Sequence, residues 1–486
     1  MTHYCNNQWF DGDGSTFSST APYEQSVIWT GENATESEVD RTVSAARAAF
    51  PAWADLSIDA RLTFIQTYKT QLEENRLHLA RTIAQETGKP LWESDQEVGA
   101  MIGKVQLSLD ASNERLGEQS LPVGDATGIT RYKPYGVCAV FGPFNLPGHL
   151  PNGHIIPALL AGNTIVLKPS EKTPLVAQEM IKLWHNANLP TGVINMTQGD
   201  ASTGKALALH PNIDAVFFTG SYNVGRAINK MLADHPEKII ALEMGGNNPL
   251  IVHETADLDA AVYMTILSGY ITAGQRCTCA RRLIVPQTSQ GDDFIEKLTV
   301  QIRKITAGKW DAEPQPFIGT LIDKKAAESL LNTQQNMINR GARSLLSMHQ
   351  LDGSPALLSP GLIDTTHMTD PVDEEWFGPL MQLKRVPNFD AAIEEANQTS
   401  FGLSAALLSD SQEHYNNFFS KIRAGIVNWN RQTTGASGRL AFGGCGKSGN
   451  GRPAGFYSAD YCAFPVASLE ATALQMPDKP IIGTGY

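Results

Sequence analysis

Cys277 is the residue whose type and position most suggest chemistry, within the stretch GQRCTCAR that spans residues 274–281. The apolar run of residues 260–273 before it predicts a helix, and residues 283–286 after it predict a strand. A thiol at a turn between packed elements is accessible to a substrate, as a nucleophile has to be. Most free cysteines are instead small buried apolar residues, and Cys279 lies close by, so this stretch alone leaves both interpretations open.

Glu243 and Asn145 are polar residues that follow strand-like runs. Glu243 ends the run KIIALE and precedes two glycines. Because burying an unpaired charge is costly, a carboxylate there can have a raised pKa that suits a general base, although an acid that caps a helix is the simpler alternative. Asn145 lies in the turn FGPFNLPG. Its amide is suited to stabilising an oxyanion, whereas asparagine in a turn more often satisfies local backbone groups.

A glycine-bounded turn follows the strand-like run DAVFFT and precedes a predicted helix. Helix N-termini present unpaired N–H groups and glycines let a phosphate approach the backbone, so this turn is a candidate diphosphate site. The P-loop alternative fails, because Arg226 and Ala227 stand where Lys and Ser or Thr are required, and the pattern is not GxGxxG. A plain strand-to-helix turn explains the glycines equally well. The residues of the candidate site are Gly220, Ser221, Tyr222, Asn223, Val224 and Gly225.

Two further segments combine acidic residues with turn residues. NTIVLKPSE places Lys168 and Glu171 at the carboxyl end of a predicted strand. Ligands bind at that edge of open α/β sheets, and a carboxylate there can hold a ribose diol, although an exposed Lys–Glu pair at a helix start is the alternative. The segment EEWFGP contains Glu375 and Phe377 and is, by itself, typical of a surface turn.

The elements that position these residues alternate between strands and helices. The runs VCAVF, NTIVLK, GVINMT, DAVFFTG and KIIALE are separated by predicted helices over residues 148–161, 173–187, 201–210 and 223–235. This alternation predicts a parallel sheet covered on both faces, the doubly wound α/β class. A second alternation over residues 249–430, with the runs PLIV, RRLIVP, MQLKRV, LSAALLS and GIVNWN, predicts a second α/β domain.

The flanking segments predict helices and a hairpin. One helix is predicted to begin near residue 37, a second covers residues 60–86, and a third covers residues 92–116. Residues 119–135 predict a protruding hairpin. The tail over residues 457–469 is strand-like, and we expect it to pair with the hairpin of another subunit.

Composition excludes several classes of function. The net charge is −12, with 38 basic and 50 acidic residues and no basic run, which disfavours binding to nucleic acid or to an anionic membrane. Six cysteines in 486 residues are too sparse for a disulfide framework. The N-terminus resembles no signal peptide, and no apolar run approaches the ~20 residues that a membrane span needs. We therefore expect a cytoplasmic protein.

A thiol, a strand-end base, an amide donor, a phosphate turn and ribose-binding acids together match the oxidation of an aldehyde through a thioester. The chain resembles the NAD(P)-dependent aldehyde dehydrogenase superfamily over nearly its full length. The resemblance lies in the ordered segments FGPFNLPG, LKPSE, FTGSYNVG, LEMGGNNP, GQRCTCAR and EEWFGP. It implies a Rossmann-like NAD-binding domain over residues 1–114 and 136–245 and a catalytic domain over 246–446. Residues 115–135 and 447–486 become an oligomerisation element and tail, in a homo-oligomer that is a dimer or tetramer.

The resemblance also implies the roles of single residues. Cys277, rather than Cys279, is the nucleophile, Glu243 is the general base, and Asn145 stabilises the oxyanion with the Cys277 backbone N–H. Lys168 and Glu171 contact the adenosine ribose, the turn over 220–225 holds the diphosphate, and Glu375 and Phe377 hold the nicotinamide ribose and ring. The expected cofactor is NAD, because the carboxylate of Glu171 repels a 2′-phosphate, and no metal is expected.

Within the superfamily, the closer resemblance is to members that oxidise N-succinylglutamate 5-semialdehyde in bacterial arginine catabolism. It lies in the segments PFNLPGHLPNGHIIPALLAGNTIVLKPSEKTP, GQRCTCARRL and FGGCGKSGNGRPAGFYSADYCAFPVASLE. Gly148 and Gly153 are expected to widen a tunnel for this long substrate. Candidates to bind its carboxylates are Arg276, Arg439, His149 and Asn152. The alternatives are another semialdehyde, a simple aliphatic aldehyde, a thiol hydrolase that works without NAD, and a non-catalytic binding protein.

Overall fold

A computed structural model describes residues 1–124, 126–476 and 479–485. The first part of the chain combines short strands with four long helices. The strands are β1 (His3–Cys5), β2 (Gln8–Phe10), β3 (Thr16–Thr20), β4 (Val27–Glu32), β5 (Gln119–Val123) and β6 (Ala126–Pro134). The helices are α1 (Glu36–Ala54), α2 (Ile58–Glu74), α3 (Arg76–Thr87) and α4 (Leu91–Arg115). None of the helices in the described ranges is long and apolar enough to cross a membrane.

The prediction of one helix over residues 60–86 is wrong, because α2 ends and α3 begins at Asn75. The Asn75 side chain donates to the carbonyl of Gln71 at 2.9 Å. An asparagine amide competes with the backbone in this way and favours a helix terminus over a helix interior. The helix period continues on both sides of the break, which is why the sequence did not reveal it.

The central part of the chain alternates strands and helices as predicted. The strands are β7 (Val137–Phe141), β8 (Thr164–Lys168), β9 (Ile194–Met196), β10 (Ala215–Gly220) and β11 (Ile239–Met244). The helices are α5 (His149–Ala161), α6 (Pro174–Asn186), α7 (Ala201–Leu209) and α8 (Tyr222–Met231). These strands pair in parallel, and β1 and β2 extend the sheet with antiparallel pairing in the order β11-β10-β7-β8-β9-β1-β2.

Both faces of this sheet are covered, which confirms the doubly wound α/β prediction. Along β7, Cys138 and Val140 belong to one apolar core, while Val137 and Ala139 belong to another. Side chains on a strand point to alternate faces, so one core lies on each side of the sheet. The loops at the carboxyl ends of the parallel strands therefore meet at one edge.

The rest of the chain builds a second α/β unit, also as predicted. Its strands are β12 (Asn248–Val252), β13 (Ala280–Pro286), β14 (Arg343–Leu346), β15 (Gly361–Asp364), β16 (Leu380–Val386), β17 (Ser404–Leu408) and β18 (Ile426–Trp429). Its helices are α9 (Leu258–Gly269), α10 (Ser289–Ile302), α11 (Lys324–Asn339), α12 (Phe389–Ala396) and α13 (Gln412–Lys421). The sheet order is β14-β15-β16-β13-β12-β17-β18, and β14 is its antiparallel strand. The short, partly exposed β14 and the short β15 lack a clear pattern and were not predicted.

The hairpin and the tail form a third sheet within the same chain. After the two-residue strands β19 (Ala441–Phe442) and β20 (Ala454–Gly455), the chain ends in β21 (Ala463–Glu470). β21 pairs with β6 from Ala463 opposite Pro134 to Glu470 opposite Thr127, in the order β21-β6-β5. The expectation that the tail pairs with the hairpin of another subunit is therefore wrong for this strand. Sequence marks the strands but does not distinguish a partner on the same chain from one on another.

Candidate active site

Cys277 lies on a strained turn between α9 and β13. The predicted helix over residues 260–273 is wrong at its end, because α9 stops at Gly269 and Thr272 and Ala273 take left-handed φ angles of 57° and 50°. Such angles are costly for residues with a Cβ and occur mainly where the surroundings impose them. Gly274 continues the turn with φ 73°, and a Cβ there would lie 2.0 Å from the Gly378 carbonyl oxygen. The turn before the thiol thus packs closely against the segment around Gly378.

The structure separates Cys277 from Cys279. Cys277 lines two cavities, whereas Cys279 is fully buried, with its Sγ 3.8 Å from the Ile271 carbonyl oxygen. The Asn248 amide donates to the carbonyls of Cys277 at 2.7 Å and of Cys279 at 2.9 Å, which fixes the backbone between them. Burial raises the pKa of the Cys277 thiol, and the nearby carboxylates of Glu375 and Glu243 raise it further. The thiol is therefore neutral at rest and needs a base to become a nucleophile.

Glu243 supplies a buried carboxylate at the end of β11. Its Oε1 accepts a hydrogen bond from the Ala454 backbone N–H at 3.2 Å, and its Oε2 has no partner among the described residues. Burial raises the pKa of Glu243 well above the usual range, and the single backbone hydrogen bond opposes this only in part. Glu243 lines the same two cavities as Cys277. A carboxyl group whose pKa is raised in this way is a stronger base in its ionised form, as a general base has to be.

Asn145 is held in the turn after β7 by buried polar contacts. Its Nδ2 donates to the Gln275 carbonyl at 3.0 Å, which ties it to the turn that carries the thiol. Lys89 Nζ donates to the Asn145 carbonyl at 2.8 Å and also pairs with the buried Glu97. Glu97 Oε1 accepts the backbone N–H groups of Gly148 at 2.9 Å and His149 at 3.1 Å, where α5 begins. A carboxylate at a helix N-terminus satisfies donors that the helix itself leaves unpaired.

The first cavity, called the edge cavity below, has a volume of about 720 Å³ and lies at the carboxyl ends of β7, β8, β10 and β11. Most of the predicted ligand-binding residues line it, together with the three residues described above. They are Lys168, Glu171, Gly220, Ser221, Asn223, Val224, Glu375 and Phe377. The N-terminus of α8 is part of this wall, and the hydroxyl of Ser221 caps it by accepting the Val224 N–H at 3.4 Å.

Tyr222 and Gly225 belong to the same turn but do not line the edge cavity. Tyr222 packs edge-on against Phe401, with ring centroids 6.2 Å apart. Gly225 is buried, and a Cβ there would lie 2.5 Å from Met244 Sδ. Its role is to let α8 pack closely against β11, which is a contribution to the shape of the cavity rather than a contact within it.

Charged groups in the edge cavity are held by local contacts. Lys168 Nζ donates to the Pro169 carbonyl at 2.9 Å, and burial lowers the pKa of Lys168 while Glu171 partly opposes that shift. Burial raises the pKa of Glu375 to about 7, although the Arg281 charge and the Gly246 N–H lower it. A Cβ on Gly245 would lie only 1.7 Å from Glu375 Oε2. The glycine at 245 therefore makes room for this carboxylate.

The second cavity, called the helix cavity below, has a volume of about 610 Å³ and runs along α4 and α5. It meets the edge cavity at a shared wall of six residues. They are Asn145, Leu150, Thr219, Glu243, Cys277 and Phe442. The thiol, the buried carboxylate and the amide therefore lie where the cavity at the sheet edge meets the cavity along the helices.

The residues predicted to bind substrate carboxylates differ in their placement. Arg276 lines the helix cavity, but its guanidinium already donates to Thr272 at 2.7 Å and to Glu93 at 2.8 Å. Arg439 also lines the cavity and is mostly exposed, 3.5 Å from Asp110.

His149 lines the same cavity, and burial lowers its pKa to about 4, so this ring is neutral at physiological pH. Asn152, in contrast, is fully buried and lines neither cavity. Its amide donates to the carbonyl of Met101 at 3.4 Å.

Sequence reasoning missed two residues that line the helix cavity. Thr219 is paired with Glu243 across β10 and β11, and its hydroxyl lies 3.1 Å from His154 Nε2. Lys104 lies on the face of α4 that turns into the cavity. A lysine on a predicted helix is usually exposed, so Lys104 was not singled out. The available signal was its helical spacing from Met101 and Ser108, which places all three residues on the buried face of α4.

Three metal-capable side chains come together away from both cavities. The ligand atoms of His253, Glu254 and His414 lie within 4.8 Å of one another. None of the three lines the edge cavity or the helix cavity, so the cluster has no place in the chemistry at Cys277.

Comparison with known proteins assigns the family. The model of the aldehyde dehydrogenase family matches residues 9–464. The fold is similar to that of betaine aldehyde dehydrogenase from Staphylococcus aureus in complex with NAD, at 28% identity and TM-score 0.91, with 98% of this chain and 96% of that chain covered. It is also similar to aldehyde dehydrogenase 21 from Physcomitrella patens in complex with succinate, at 25% identity and TM-score 0.90, with 96% and 98% covered. NADP-dependent glyceraldehyde-3-phosphate dehydrogenase from Bacillus halodurans gives 26% identity and TM-score 0.90, with 97% and 99% covered. The chain therefore belongs to the aldehyde dehydrogenase family.

Proposed function

We propose that this protein oxidises N-succinyl-L-glutamate 5-semialdehyde to N-succinyl-L-glutamate with NAD. The observation that carries the general reaction is the junction of two cavities at Cys277, Glu243 and Asn145. A redox reaction between two ligands needs both of them at one reactive group, and the junction provides that arrangement. The identity of the aldehyde rests on the resemblance of the segments around Asn145 and Cys277 and on the polar walls of the helix cavity.

In the proposed first step, Cys277 attacks the carbonyl carbon of the aldehyde. Its proton passes toward Glu243, because a neutral buried thiol needs a base. The carbonyl electron pair moves onto oxygen, where the Asn145 Nδ2 and the Cys277 backbone N–H stabilise it. Each such donor lowers the barrier by about 3 kcal/mol. The hydrogen bond from Asn145 to Gln275 positions this amide beside the nucleophile.

The residues of the edge cavity fit a dinucleotide. The unpaired N–H groups at the start of α8 suit a diphosphate, and Lys168 with Glu171 suits a ribose diol. Glu375, which reaches into the cavity past Gly245, suits the second ribose, with Phe377 beside it. When bound, the nicotinamide accepts a hydride from the substrate carbon. Glu171 favours NAD over NADP, because a carboxylate repels a 2′-phosphate.

In the second half of the reaction, the acyl group is bound to Cys277 as a thioester. Glu243 first releases to solvent the proton that it took from the thiol. In its ionised form it then removes a proton from water, and the hydroxide formed attacks the thioester carbon. The C–S bond breaks, the carboxylic acid leaves, and the thiol recovers a proton. The free Oε2 of Glu243 is the atom available for this water, since Oε1 accepts the Ala454 N–H.

The helix cavity supports a substrate that carries carboxylates. Arg276, Arg439 and Lys104 contribute positive charge to its walls. Gly153 lines the cavity, so no bulky side chain narrows it there. Gly148, at the start of α5, lines neither cavity and packs against Met101 instead. The related structure from Physcomitrella patens holds succinate, a dicarboxylate product, on the same fold.

We also propose that the protein assembles as a homo-oligomer through the sheet β21-β6-β5. Leu121 and Leu469 flank Gly128 in one row of this sheet, and Val123 packs over the same glycine. All three apolar side chains are exposed. An exposed apolar face of this kind is suited to burial against a second copy of the chain. The six free cysteines are consistent with a reducing compartment, and a cytoplasmic location remains a prediction.

A panel of aldehydes tests the function. NADH absorbance is followed for N-succinylglutamate 5-semialdehyde, succinic semialdehyde and pentanal, with NAD and NADP side by side. We expect kcat/KM to be highest for the first aldehyde and at least about 10-fold higher with NAD than with NADP. Faster oxidation of pentanal would exclude the proposed substrate, and absence of any oxidation would exclude the proposed reaction.

The same assay tests the nucleophile. Cys277→Ala is expected to lower kcat at least about 1000-fold, because the thioester route is lost. Cys279→Ala is the matched control, since this thiol is buried and lines neither cavity, and it should retain activity within a few fold. A Cys277→Ala protein that retained dehydrogenase activity would contradict the assignment.

A further inference from the structure

Lys104 carries a positive charge into the helix cavity without a carboxylate beside it. Its side chain is 6% exposed, and its Nζ donates to the Gly455 carbonyl at 3.1 Å. No ion pair involves Lys104 within the described part of the chain. An ammonium group has three N–H donors and is strongly hydrated in water, so its burial against one carbonyl leaves it poorly satisfied.

The acids of the same cavity are already committed to other partners. Glu93 pairs with Arg276 at 2.8 Å and accepts the Thr272 hydroxyl. Glu97 pairs with Lys89 and accepts two backbone N–H groups at the start of α5. Burial raises the pKa of Glu243 well above its usual range, which disfavours the charged form of this carboxyl group. None of these carboxylates is left to neutralise Lys104.

The other ionisable groups near Lys104 respond to its charge without balancing it. Burial lowers the pKa of His149 to about 4 and that of His154 to about 3, and the Lys104 charge contributes to both shifts. Both rings are therefore neutral. Burial lowers the pKa of Lys104 itself to about 8, with only the Cys462 thiol acting in the opposite direction. A lysine in this state still carries its charge for most of the time at neutral pH.

There is room for an anion beside this lysine. Gly153 of α5 also lines the cavity, and a Cβ at that position would lie 3.9 Å from Lys104 Cε. Only hydrogen occupies that space, so the lysine stem is not pressed against a side chain at this point. The wall around the ammonium group is thus shaped by the backbone at Gly153 and Gly455.

We propose that Lys104 determines substrate specificity by binding a carboxylate of the aldehyde substrate. This inference rests on the proposed function. It adds the residue that binds the substrate carboxylate and the orientation of the substrate in the helix cavity. Arg276 is already paired with the Glu93 carboxylate, so its charge is balanced within the protein, whereas that of Lys104 is not. A carboxylate on Lys104 satisfies the unpaired N–H groups and the buried charge together. The substrate then lies with its carboxylate on α4 and its aldehyde at Cys277.

Lys104→Met tests the proposal, since it removes the charge and keeps the length of the stem. We expect kcat/KM for N-succinylglutamate 5-semialdehyde to fall about 100-fold, mainly through KM, while pentanal changes less than about 3-fold. N-Succinylglutamate should also inhibit pentanal oxidation far less in this variant. Lys104→Arg keeps the charge and should restore much of the loss. Lys238→Met is the matched control, because Lys238 is equally buried against carbonyl groups but lines neither cavity.

Each outcome separates this inference from the proposed function. An equal loss on the charged and the uncharged aldehyde, not rescued by Lys104→Arg, would show a structural role and overturn the inference. An unchanged kcat/KM of Lys104→Met for the charged aldehyde would overturn the inference as well. The proposed function would still hold in that case if the wild type prefers the charged aldehyde. A wild-type enzyme that prefers pentanal overturns both, and this result is seen before any variant is made. The pentanal rate of each variant reports whether the protein is folded.

Discussion

The proposed reaction and the burial of Glu243 favour opposite protonation states of its carboxyl group. The proposed chemistry requires an ionised carboxylate, whereas burial favours the neutral form, and among the described residues Ala454 alone donates a hydrogen bond to it. A buried base of this kind has its pKa moved toward the working pH, and proton transfer in both directions becomes easy. The same burial means that each ionisation costs folding free energy.

The Glu243→Gln variant separates these two effects through pH. Wild-type kcat should rise with pH as Glu243 ionises, and the variant should lose at least about 100-fold in kcat together with this dependence. The ionisation of Glu243 at higher pH has the opposite effect on folding stability, which it lowers. A raised pKa stabilises the fold below the unfolded-state value of about 4.3, and this contribution is lost as pH rises through the folded pKa.

The thermal midpoint of Glu243→Gln should therefore increase relative to that of the wild type as pH rises. Melting curves and kcat–pH profiles over the same buffers measure both quantities. A variant with the wild-type pH profile for kcat would contradict the role of Glu243 as the base.

Local sequence did not distinguish Cys277 from Cys279, and the physical reason is visible in the turn. The left-handed angles at Thr272 and Ala273 rotate the chain so that one thiol faces the cavities and the other faces the core. Those angles depend on packing against the segment around Gly378, which is distant in sequence. The motif resemblance indicated Cys277, the cysteine that lines the two cavities, without this information. Lys104 had no motif, and its burial emerged only from the packing of α4 against α5.

At the scale of elements, α6 depends on a carboxylate from another helix. Glu86 of α3 is fully buried and accepts the backbone N–H groups of Leu175 at 3.0 Å and Val176 at 2.8 Å, where α6 begins. The first N–H groups of a helix have no partner within it, so a buried start needs an acceptor from outside. Burial raises the pKa of Glu86 to about 7 against the effect of these two hydrogen bonds.

Removing this acceptor should destabilise the protein. Glu86→Ala is expected to lower the free energy of unfolding by about 2–4 kcal/mol, because two buried N–H groups lose their partner. Glu73→Ala is the control, since Glu73 is half exposed beside Lys69 at 3.8 Å and should change stability by less than about 0.5 kcal/mol. Urea unfolding of both variants measures the difference, and equal midpoints would contradict the proposed contact.

The alternation of strands and helices was predictable because the buried strands of the first sheet are short runs rich in apolar residues. The seven-stranded order of each sheet was not, since pairing depends on contacts between distant segments. The break at Asn75 shows the same limit on a smaller scale. One side-chain hydrogen bond to Gln71 ends a helix whose apolar period continues.

At the scale of the whole molecule, the sheet β21-β6-β5 is held together within the chain. Arg131 of β6 pairs with Glu118 at 2.6 Å and with Glu470 of β21, so it links the hairpin to the tail. The hairpin was predicted correctly, but its partner strand was assigned to another subunit. What remains for a second subunit is the exposed apolar row of Leu121 and Leu469 rather than the hydrogen bonds of the tail.

Charges on this row should prevent assembly. The double variant Leu121→Asp, Leu469→Asp is expected to have the mass of one 52.7 kDa chain, while the wild type has a multiple of it. Leu77→Asp on α3 is the control, since Leu77 is 57% exposed but lies outside the sheet. Light scattering coupled to size-exclusion chromatography measures the masses. A wild type of single-chain mass, or a double variant that still assembles, would contradict the proposed interface.

The edge cavity and the helix cavity have only six lining residues in common. Under the proposed function, the spent cofactor leaves from the sheet edge and the carboxylic acid leaves along the helices, so the release of one product does not depend on the release of the other. One consequence concerns inhibition: a reactive aldehyde analogue arriving along α4 can reach the thiol while the dinucleotide site is full. Saturation with NAD will therefore not shield the enzyme from such compounds, whereas a carboxylate ligand that fills the helix cavity will.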